Sequence, residues 1–366
     1  MRIKRIVGWS AGAVLLALVA AALVAYFTSS NACDRARPAT GERMKAIVFC
    51  DYGAPDVLKL EDVERCVPTD DQLRVRVRAA SVNPLDWHRM RGTPYVGRVE
   101  MGLRKPKTIG LGVDYAGTVE AVGRNVTQFK PGDEVFGGRT GALAEYVCAR
   151  ADRAVAPKPP NLTFEEAAAV PVAAITALQG LRDEGKLKPG QKVLINGASG
   201  GVGTFAVQLA KALGAEVTGV CSTRNVELVR SIGADRVVDY TREDFTKSGE
   251  RYDLILDNVG NHSLSAMRSV LAPGGRYVMV GGRKGRWIDP LPRALAASVL
   301  SRFVSQDMGF FISQLNKEDL TFLGDLMRAG KVRPVIDRRY TLSEVPAAVA
   351  YLETGRARGK VVIAIE

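Results

Sequence analysis

Apolar and polar positions follow two rhythms along this chain, and the change of rhythm divides it. Between residues 44 and 150 the apolar positions recur every second residue in short runs. Leu73-Arg-Val-Arg-Val-Arg78 alternates cleanly, apolar inward and arginine outward, as a half-buried strand must. Further strands are predicted at 44–49, 117–123, 133–136 and 143–147, separated by turn signals such as Lys130-Pro-Gly-Asp133 and Gly137-Gly138. Many short, punctuated strands predict a small, partly open β-barrel rather than a parallel sheet. From residue 192 the pattern switches to continuous apolar runs alternating with helix-period segments. Strands are expected at 192–196, 216–221, 236–239, 253–257 and 276–280, and helices at 204–213, 225–232 and 263–271. That alternation predicts a doubly wound parallel sheet. At the junction, Thr163 and Glu166 have capping-box spacing. After residue 338 strand, helix and strand recur and close the chain.

The first βα turn of the parallel half is dense in glycine. Asn196-Gly-Ala-Ser-Gly-Gly-Val-Gly203 follows an apolar strand and opens a helix stopped by Gly214. Gly197, Gly200, Gly201 and Gly203 let the backbone turn tightly and approach a ligand, with Ser199 and Val202 between them. The helix behind aims free N–H groups and its positive end at that ligand, ideally a pyrophosphate. A plain connection would need one glycine for its turn, not four.

The amino-terminal stretch has its own pattern. Met1-Arg-Ile-Lys-Arg5 is basic, and no charge occurs from Ile6 to Cys33. Residues 7–27 are about as long as the ~20 residues a bilayer-spanning helix needs, with Trp9 at one end and Tyr26-Phe27 at the other. A cleaved signal peptide or lipoprotein signal ending before Cys33 competes, but its apolar region would be only ~7–15 residues. A single-pass transmembrane anchor therefore fits the length best. Arginines flank the segment on both sides, so the side facing the body stays open, with the cytoplasm favoured by cofactor supply.

Net charge is +12, but the basic residues are scattered. Without a basic stripe and stacking aromatics, nucleic acid is not an expected partner. Five cysteines, odd in number and without a C-x-x-C pair, read as free thiols and favour a reducing compartment. With 366 residues, two domains plus an appendage are expected.

Val82-Asn-Pro-Leu-Asp86, Gly117-Thr-Val-Glu-Ala-Val-Gly123, Pro131-Gly-Asp-Glu-Val135 and Ala167-Ala-Ala-Val-Pro171 precede the glycine turn. In this order and spacing they resemble the medium-chain dehydrogenase/reductase superfamily, most nearly its zinc-free quinone oxidoreductase (zeta-crystallin-like) branch. The resemblance covers residues 44–366. It implies a GroES-like catalytic domain over 44–167, a Rossmann domain over 168–304, and a return segment over 305–366 that completes the first. Zinc members carry a ligand Cys where this chain has Asn83, and Gly-His-Glu where it has Gly112-Val-Asp114. With only His88 and His262 in the whole chain, no catalytic zinc of the Cys/His type is expected.

Asn83 and Asp86 read either as the start of a helix near 87–90 or, on the resemblance, as groups beside the nicotinamide and substrate. Tyr95 lies one residue from a tyrosine that orients or protonates substrate in similar enoyl reductases; otherwise it is a loop tyrosine. At the end of the second strand, where an NAD site would place an acid, stand Ser222, Thr223 and Arg224. Hydroxyls and a guanidinium fork suit a 2′-phosphate, so NADPH is the expected cofactor. The resemblance adds Tyr240 near the adenosine phosphate, and Asn258, Val259 and Gly281 behind the nicotinamide. Lys360 either reaches the cofactor phosphates or begins an edge strand.

Residues 283–303 form a basic, amphipathic stretch, either a connecting helix with its apolar face buried or a membrane-facing lip. In the second case Phe310-Phe311 would line the pocket; in the first they are core. The expected protein is an NADPH-dependent, zinc-independent oxidoreductase acting on a small apolar enone, enal or quinone. It is tethered to a lipid bilayer, and the resemblance admits a homodimer. A tethered NADPH-binding sensor or scaffold without turnover is the rival reading.

Overall fold

The computed structural model describes Val24, Tyr26, Cys33, residues 41–282 and residues 285–365. The barrel half contains β1 (Arg43–Val48), β2 (Lys59–Glu64), β3 (Gln72–Val82), β4 (Asp114–Val122), β5 (Glu134–Gly138), β6 (Tyr146–Arg150) and β7 (Val155–Pro157). β1 and β2 form an antiparallel hairpin, and β3 to β7 form a mixed sheet with strands from the end of the chain. β3 is the spine of that sheet. Its alternating Leu73, Val75 and Val77 are fully buried, as the sequence pattern predicts. It runs on to Val82 and pairs with three neighbours. The strand expected at 143–147 lies about three residues later, as β6; Leu143 and Ala144 instead bond across to β1 and Leu111.

The second half holds β8 (Lys192–Asn196), β9 (Glu216–Cys221), β10 (Arg236–Asp239), β11 (Tyr252–Asp257), β12 (Leu271–Met279) and β13 (Asp307–Phe310). All pair in parallel, in the order β10-β9-β8-β11-β12-β13. The order reverses between β8 and β11, and an open α/β sheet binds its ligand beyond the carboxyl ends of strands at such a reversal. Val193, Leu194 and Ile195 of β8 are wholly buried between helices on the two faces. The predicted capping box forms: Thr163 Oγ1 accepts from Glu166 N at 3.1 Å, and Glu166 Oε2 accepts from Thr163 N at 2.9 Å.

The chain then returns to the barrel. β15 (Lys360–Ala364) lies between β14 (Ile336–Thr341) and β3, so Lys360 begins an interior strand, not an edge strand. The return brings the first residue of β15 against the glycine turn, where Gly359 bridges to Gly200.

Three expectations change. Cysteines 33 and 50 are disulfide-bonded, as are cysteines 66 and 148, with Cα separations of 5.8 and 6.1 Å. Only Cys221 is a free thiol, buried at the end of β9. The free-thiol reading failed because the partners are brought together by the sheet and not by sequence spacing: Cys66 follows β2, and Cys148 lies in β6. Disulfides persist in oxidising compartments, so the cysteines no longer argue for a reducing one.

Secondly, the helix Leu291–Ser301 packs only a narrow apolar face, Ala294, Ala297 and Leu300, on the core and leaves a second apolar stripe outside. Trp287, Ile288, Leu291, Leu295, Val299 and Phe303 are all exposed, and of the helix only Ala297 is buried. Phe310 and Phe311 pack against the cores on the two faces of the parallel sheet, as the core reading has it. Thirdly, the anchor expected over 7–27 falls outside the described residues except for Val24 and Tyr26. Among the described residues no helix is long and apolar enough to cross a membrane.

Denatured without reductant, the protein should expose one alkylatable thiol, and after reduction all five of its cysteines, read by intact mass. Replacing Cys148 by Ser should lower stability by about 2–5 kcal/mol, measured by denaturant titration.

Candidate active site

The end of β3 carries the chain into the helix Pro84–Arg91, and the site is built on that junction. Asn83 is the N-cap. Asp86, three residues on, reaches back and accepts the Asn83 N–H on Oδ2 at 2.7 Å. Its other oxygen accepts from Gly112 N at 3.2 Å, which fixes the strand-entry loop before β4. Asn83 and Asp86 are set as a capping box, with the amide oxygen of Asn83, not its nitrogen, toward the helix. Asn83 Nδ2 donates to Asp114 Oδ2 at 2.9 Å, and Oδ1 accepts from Lys360 Nζ at 2.5 Å.

Asp114 is the residue that sequence reasoning passed over. It is fully buried at the start of β4. Oδ2 accepts from Ser81 Oγ at 2.9 Å, Asn83 Nδ2, and Lys360 Nζ at 3.2 Å. Oδ1 accepts from Val172 N at 2.9 Å, in the first turn of the helix Pro171–Gln179. Asp114 drew notice only where zinc members carry a different triplet, and no local pattern announces four donors converging from three distant stretches of chain. Lys360 is 3% exposed. Its stem lies along the glycine turn, its Cδ 3.2 Å from where a Gly201 Cβ would stand.

The turn at residues 197–203 does what glycines there permit. Gly197 has φ +81°, and a Cβ on Gly203 would sit 2.1 Å from the Gly197 carbonyl oxygen. Gly200 caps the helix Gly201–Ala212 with no side-chain bond, so no side chain of the cap occupies the free N–H groups from Gly201, Val202 and Gly203 onward. Ser199 Oγ accepts from Asn225 Nδ2 at 2.9 Å, and the same nitrogen reaches Ser222 Oγ at 3.3 Å. Asn225, also not singled out from the sequence, thus ties the glycine turn to the end of β9. Thr223 pairs with Thr241 at 2.9 Å. Arg224 is exposed and donates to the Arg356 carbonyl at 2.9 Å, which brings the 355–359 loop beside it. Tyr240 is exposed. Asp239, the acid nearest this end, accepts the backbone N–H and hydroxyl of Thr241 at 3.0 and 2.7 Å.

At the reversal point Asp257 is held from every side. Oδ1 accepts from Asn196 Nδ2, Val259 N and Gly260 N, and Oδ2 accepts from the Tyr277 hydroxyl at 2.7 Å. Asn258 Nδ2 donates to the Asn196 carbonyl at 3.0 Å, leaving its buried Oδ1 without a partner. A Cβ on Gly281 would lie 2.2 Å from the Asn258 carbonyl oxygen, so that contact requires glycine. Tyr95 stands apart from the buried cluster, in the 3-10 turn Tyr95–Gly97. Its N–H donates to Arg286 at 2.7 Å, and its ring meets Trp287 edge-on at 5.1 Å, joining the two halves of the chain.

These residues fit a nicotinamide dinucleotide. The bare helix N-terminus offers donors to a pyrophosphate, and the orphaned Asn258 oxygen offers an acceptor to an amide or hydroxyl. Among the described residues no three His, Cys, Asp or Glu side chains cluster as a metal site.

Burial lifts the Asp86 pKa to about 6 against the pull of the Asn83 N–H, and the nearby charge of Asp114 raises it further. An unfolded Asp titrates near 3.9, so the raised value stabilises the fold below that pH and the effect is lost as pH rises through about 6. In thermal melts, the Tm of Asp86→Asn relative to wild type should therefore move in the variant's favour from pH 4 to pH 7. The span corresponds to about 3 kcal/mol; a pH-independent difference would contradict the assignment.

The comparisons with known proteins agree with this architecture. Residues 69–160 match the model described as alcohol dehydrogenase GroES-like domain, and residues 232–363 that described as zinc-binding dehydrogenase. The chain is 37% identical over 337 residues to 2-methylene-furan-3-one reductase of Solanum lycopersicum, covering 87% of this chain and 79% of that protein. It is 35% identical over 340 residues to the chloroplastic NADPH-dependent alkenal/one oxidoreductase of Arabidopsis thaliana, covering 88% and 80%. Among solved structures it is similar to the quinone oxidoreductase of Coxiella burnetii, with a TM-score of 0.78, 33% identity, and coverage of 89% and 100%.

Proposed function

The chain belongs to the medium-chain dehydrogenase/reductase superfamily, and on that premise we propose that it reduces enones, enals or quinones with NADPH and without zinc. The observation that carries this reading is the meeting of the bare helix N-terminus at Gly201 with the buried Asn83–Asp114–Lys360 cluster. Relatives named as alkenal/one, furanone and quinone reductases support the acceptor class.

In this reading the pyrophosphate lies along Gly197, Ser199, Gly200, Gly201, Val202 and Gly203. Ser222, Thr223 and Arg224 face the 2′-phosphate beside Tyr240, and Asp239 turns its Oδ1 to Thr241. Asn258, Val259 and Gly281 back the nicotinamide, with the unpartnered Asn258 oxygen available to its carboxamide. The cofactor, when bound, supplies a hydride to the electrophilic carbon of the acceptor. Asn83 then acts on the oxygen where negative charge grows. Asn83 Oδ1 is taken by Lys360 and one Nδ2 hydrogen by Asp114, which leaves its second Nδ2 hydrogen to donate. A donor fixed before the reaction stabilises the developing oxyanion without reorganising. The proton that completes the reduction is drawn from water.

A membrane anchor over residues 7–27 completes the proposal, and the two disulfides support an oxidising side for the body rather than the cytoplasmic side.

NADPH oxidation followed by its near-ultraviolet absorbance, against but-3-en-2-one and 1,4-naphthoquinone with NADH as control, tests the function. Turnover faster with NADPH than NADH is expected, and Arg224→Ala should raise KM for NADPH about tenfold, the equivalent of roughly 1.4 kcal/mol. Tight NADPH binding with no turnover on either acceptor would favour the sensor reading instead.

A further inference from the structure

We propose that Lys360 is the built-in cation of the reaction centre, a positioning residue that acts through Asn83 and not through the cofactor phosphates. The proposal rests on the reductase reading and deepens it.

The geometry allows one assignment of the Asn83 amide. An ammonium only donates and a carboxylate only accepts, so the atom 2.5 Å from Lys360 Nζ is the oxygen, and the atom 2.9 Å from Asp114 Oδ2 is the nitrogen. The lysine therefore fixes which end of Asn83 can donate. By withdrawing charge from the amide oxygen it also makes the remaining N–H a stronger donor, since linked hydrogen bonds polarise one another.

The setting argues against a role in stability alone. Lys360 and Asp114 are 3% and 0% exposed as side chains, and their heads are 3.2 Å apart. Burying two ions carries a desolvation penalty of several kcal/mol per ion, and apolar replacements of such pairs are often neutral or stabilising. This pair is not in a hydrophobic core. It stands between the capping residue Asn83 and the glycine turn, on a lysine whose neighbour Gly359 bridges to Gly200. The positive charge between Asn83 and Asp114 is an ammonium supplied by the last strand.

The position on β15 also explains why the lysine comes from the far end of the chain. β15 pairs with β3 at Val82 and Ser81, so docking the return segment delivers the charge to the residue that precedes Asn83.

The test uses the full chain and three variants: Lys360→Met, Asp114→Asn, and the two combined. Lys360→Met alone leaves a buried carboxylate without its cation and is expected to fold poorly; the combined variant removes both charges at nearly unchanged side-chain size. The combined variant is expected to melt closer to wild type than Lys360→Met does, to bind NADPH by fluorescence titration within about twofold of the wild-type Kd, and to lose at least tenfold in kcat with but-3-en-2-one. Adding Asn83→Ala to it should cost nothing further, because lysine and asparagine act as one unit. Recovery of kcat to within twofold of wild type in the combined variant would overturn the proposal, since Lys360 would then merely neutralise Asp114. A large loss of NADPH affinity with unchanged kcat would overturn it in favour of phosphate binding. If wild type turns over neither acceptor, the reductase reading has failed by itself, and the Asn83 side-chain amide resonances decide the rest. In asparagine-labelled protein, a displacement in the combined variant beyond that in Asp114→Asn alone supports the lysine clamp, and resonances equal to those of Asp114→Asn refute it.

Discussion

A single buried carboxylate, Asp114, holds the cluster around Asn83 and Lys360 together. Its oxygens take donors from β3, from the cap of the helix Pro84–Arg91, from the first turn of the helix Pro171–Gln179 and from β15. The three stretches that supply them, at 81–83, 172 and 360, are far apart in sequence, and each would leave a buried polar group unpaired without the others. An unmet charge in such a place is strongly unfavourable, so the barrel, the junction helix and the return segment must dock together or not at all. The orientation of Asn83 follows from that requirement.

The nucleotide half is organised by an analogous device at lower charge density. Asp257, at the end of β11, gathers Asn196 from the neighbouring strand, two backbone N–H groups of its own loop, and Tyr277 from β12. It holds the strand ends at the reversal of strand order, and Arg293 from the helix Leu291–Ser301 completes the group through the Tyr277 hydroxyl at 2.9 Å. The two carboxylates thus order one half of the chain each. The contact between Lys360 and Gly201 is where the halves meet.

Much of this was legible in the sequence because the physics was local. The glycine turn, the alternation in β3, the capping box at Thr163 and the parallel strands depend on residues a few positions apart. Asp114, Asn225 and the interior placement of Lys360 depend on what the fold brings together, and nothing near them in sequence reports it. The disulfides escaped for the same reason, as Cys66 and Cys148 are 82 residues apart. The apolar stripe from Trp287 to Phe303 was visible as a pattern, but periodicity alone does not say whether a stripe faces the core or the outside, and here it faces outward.

The bond between Cys33 and Cys50 has a mechanical consequence. Cys33 precedes the first strand of the barrel and Cys50 follows it, so the covalent path from residue 33 into the body bypasses β1. A tension applied to the chain before residue 33 would be transmitted through sulfur to Cys50, two residues past the end of β1. β1 lies inside the closed loop and is spared the axial pull that, on a plain linker, would peel it from β2 one hydrogen bond at a time.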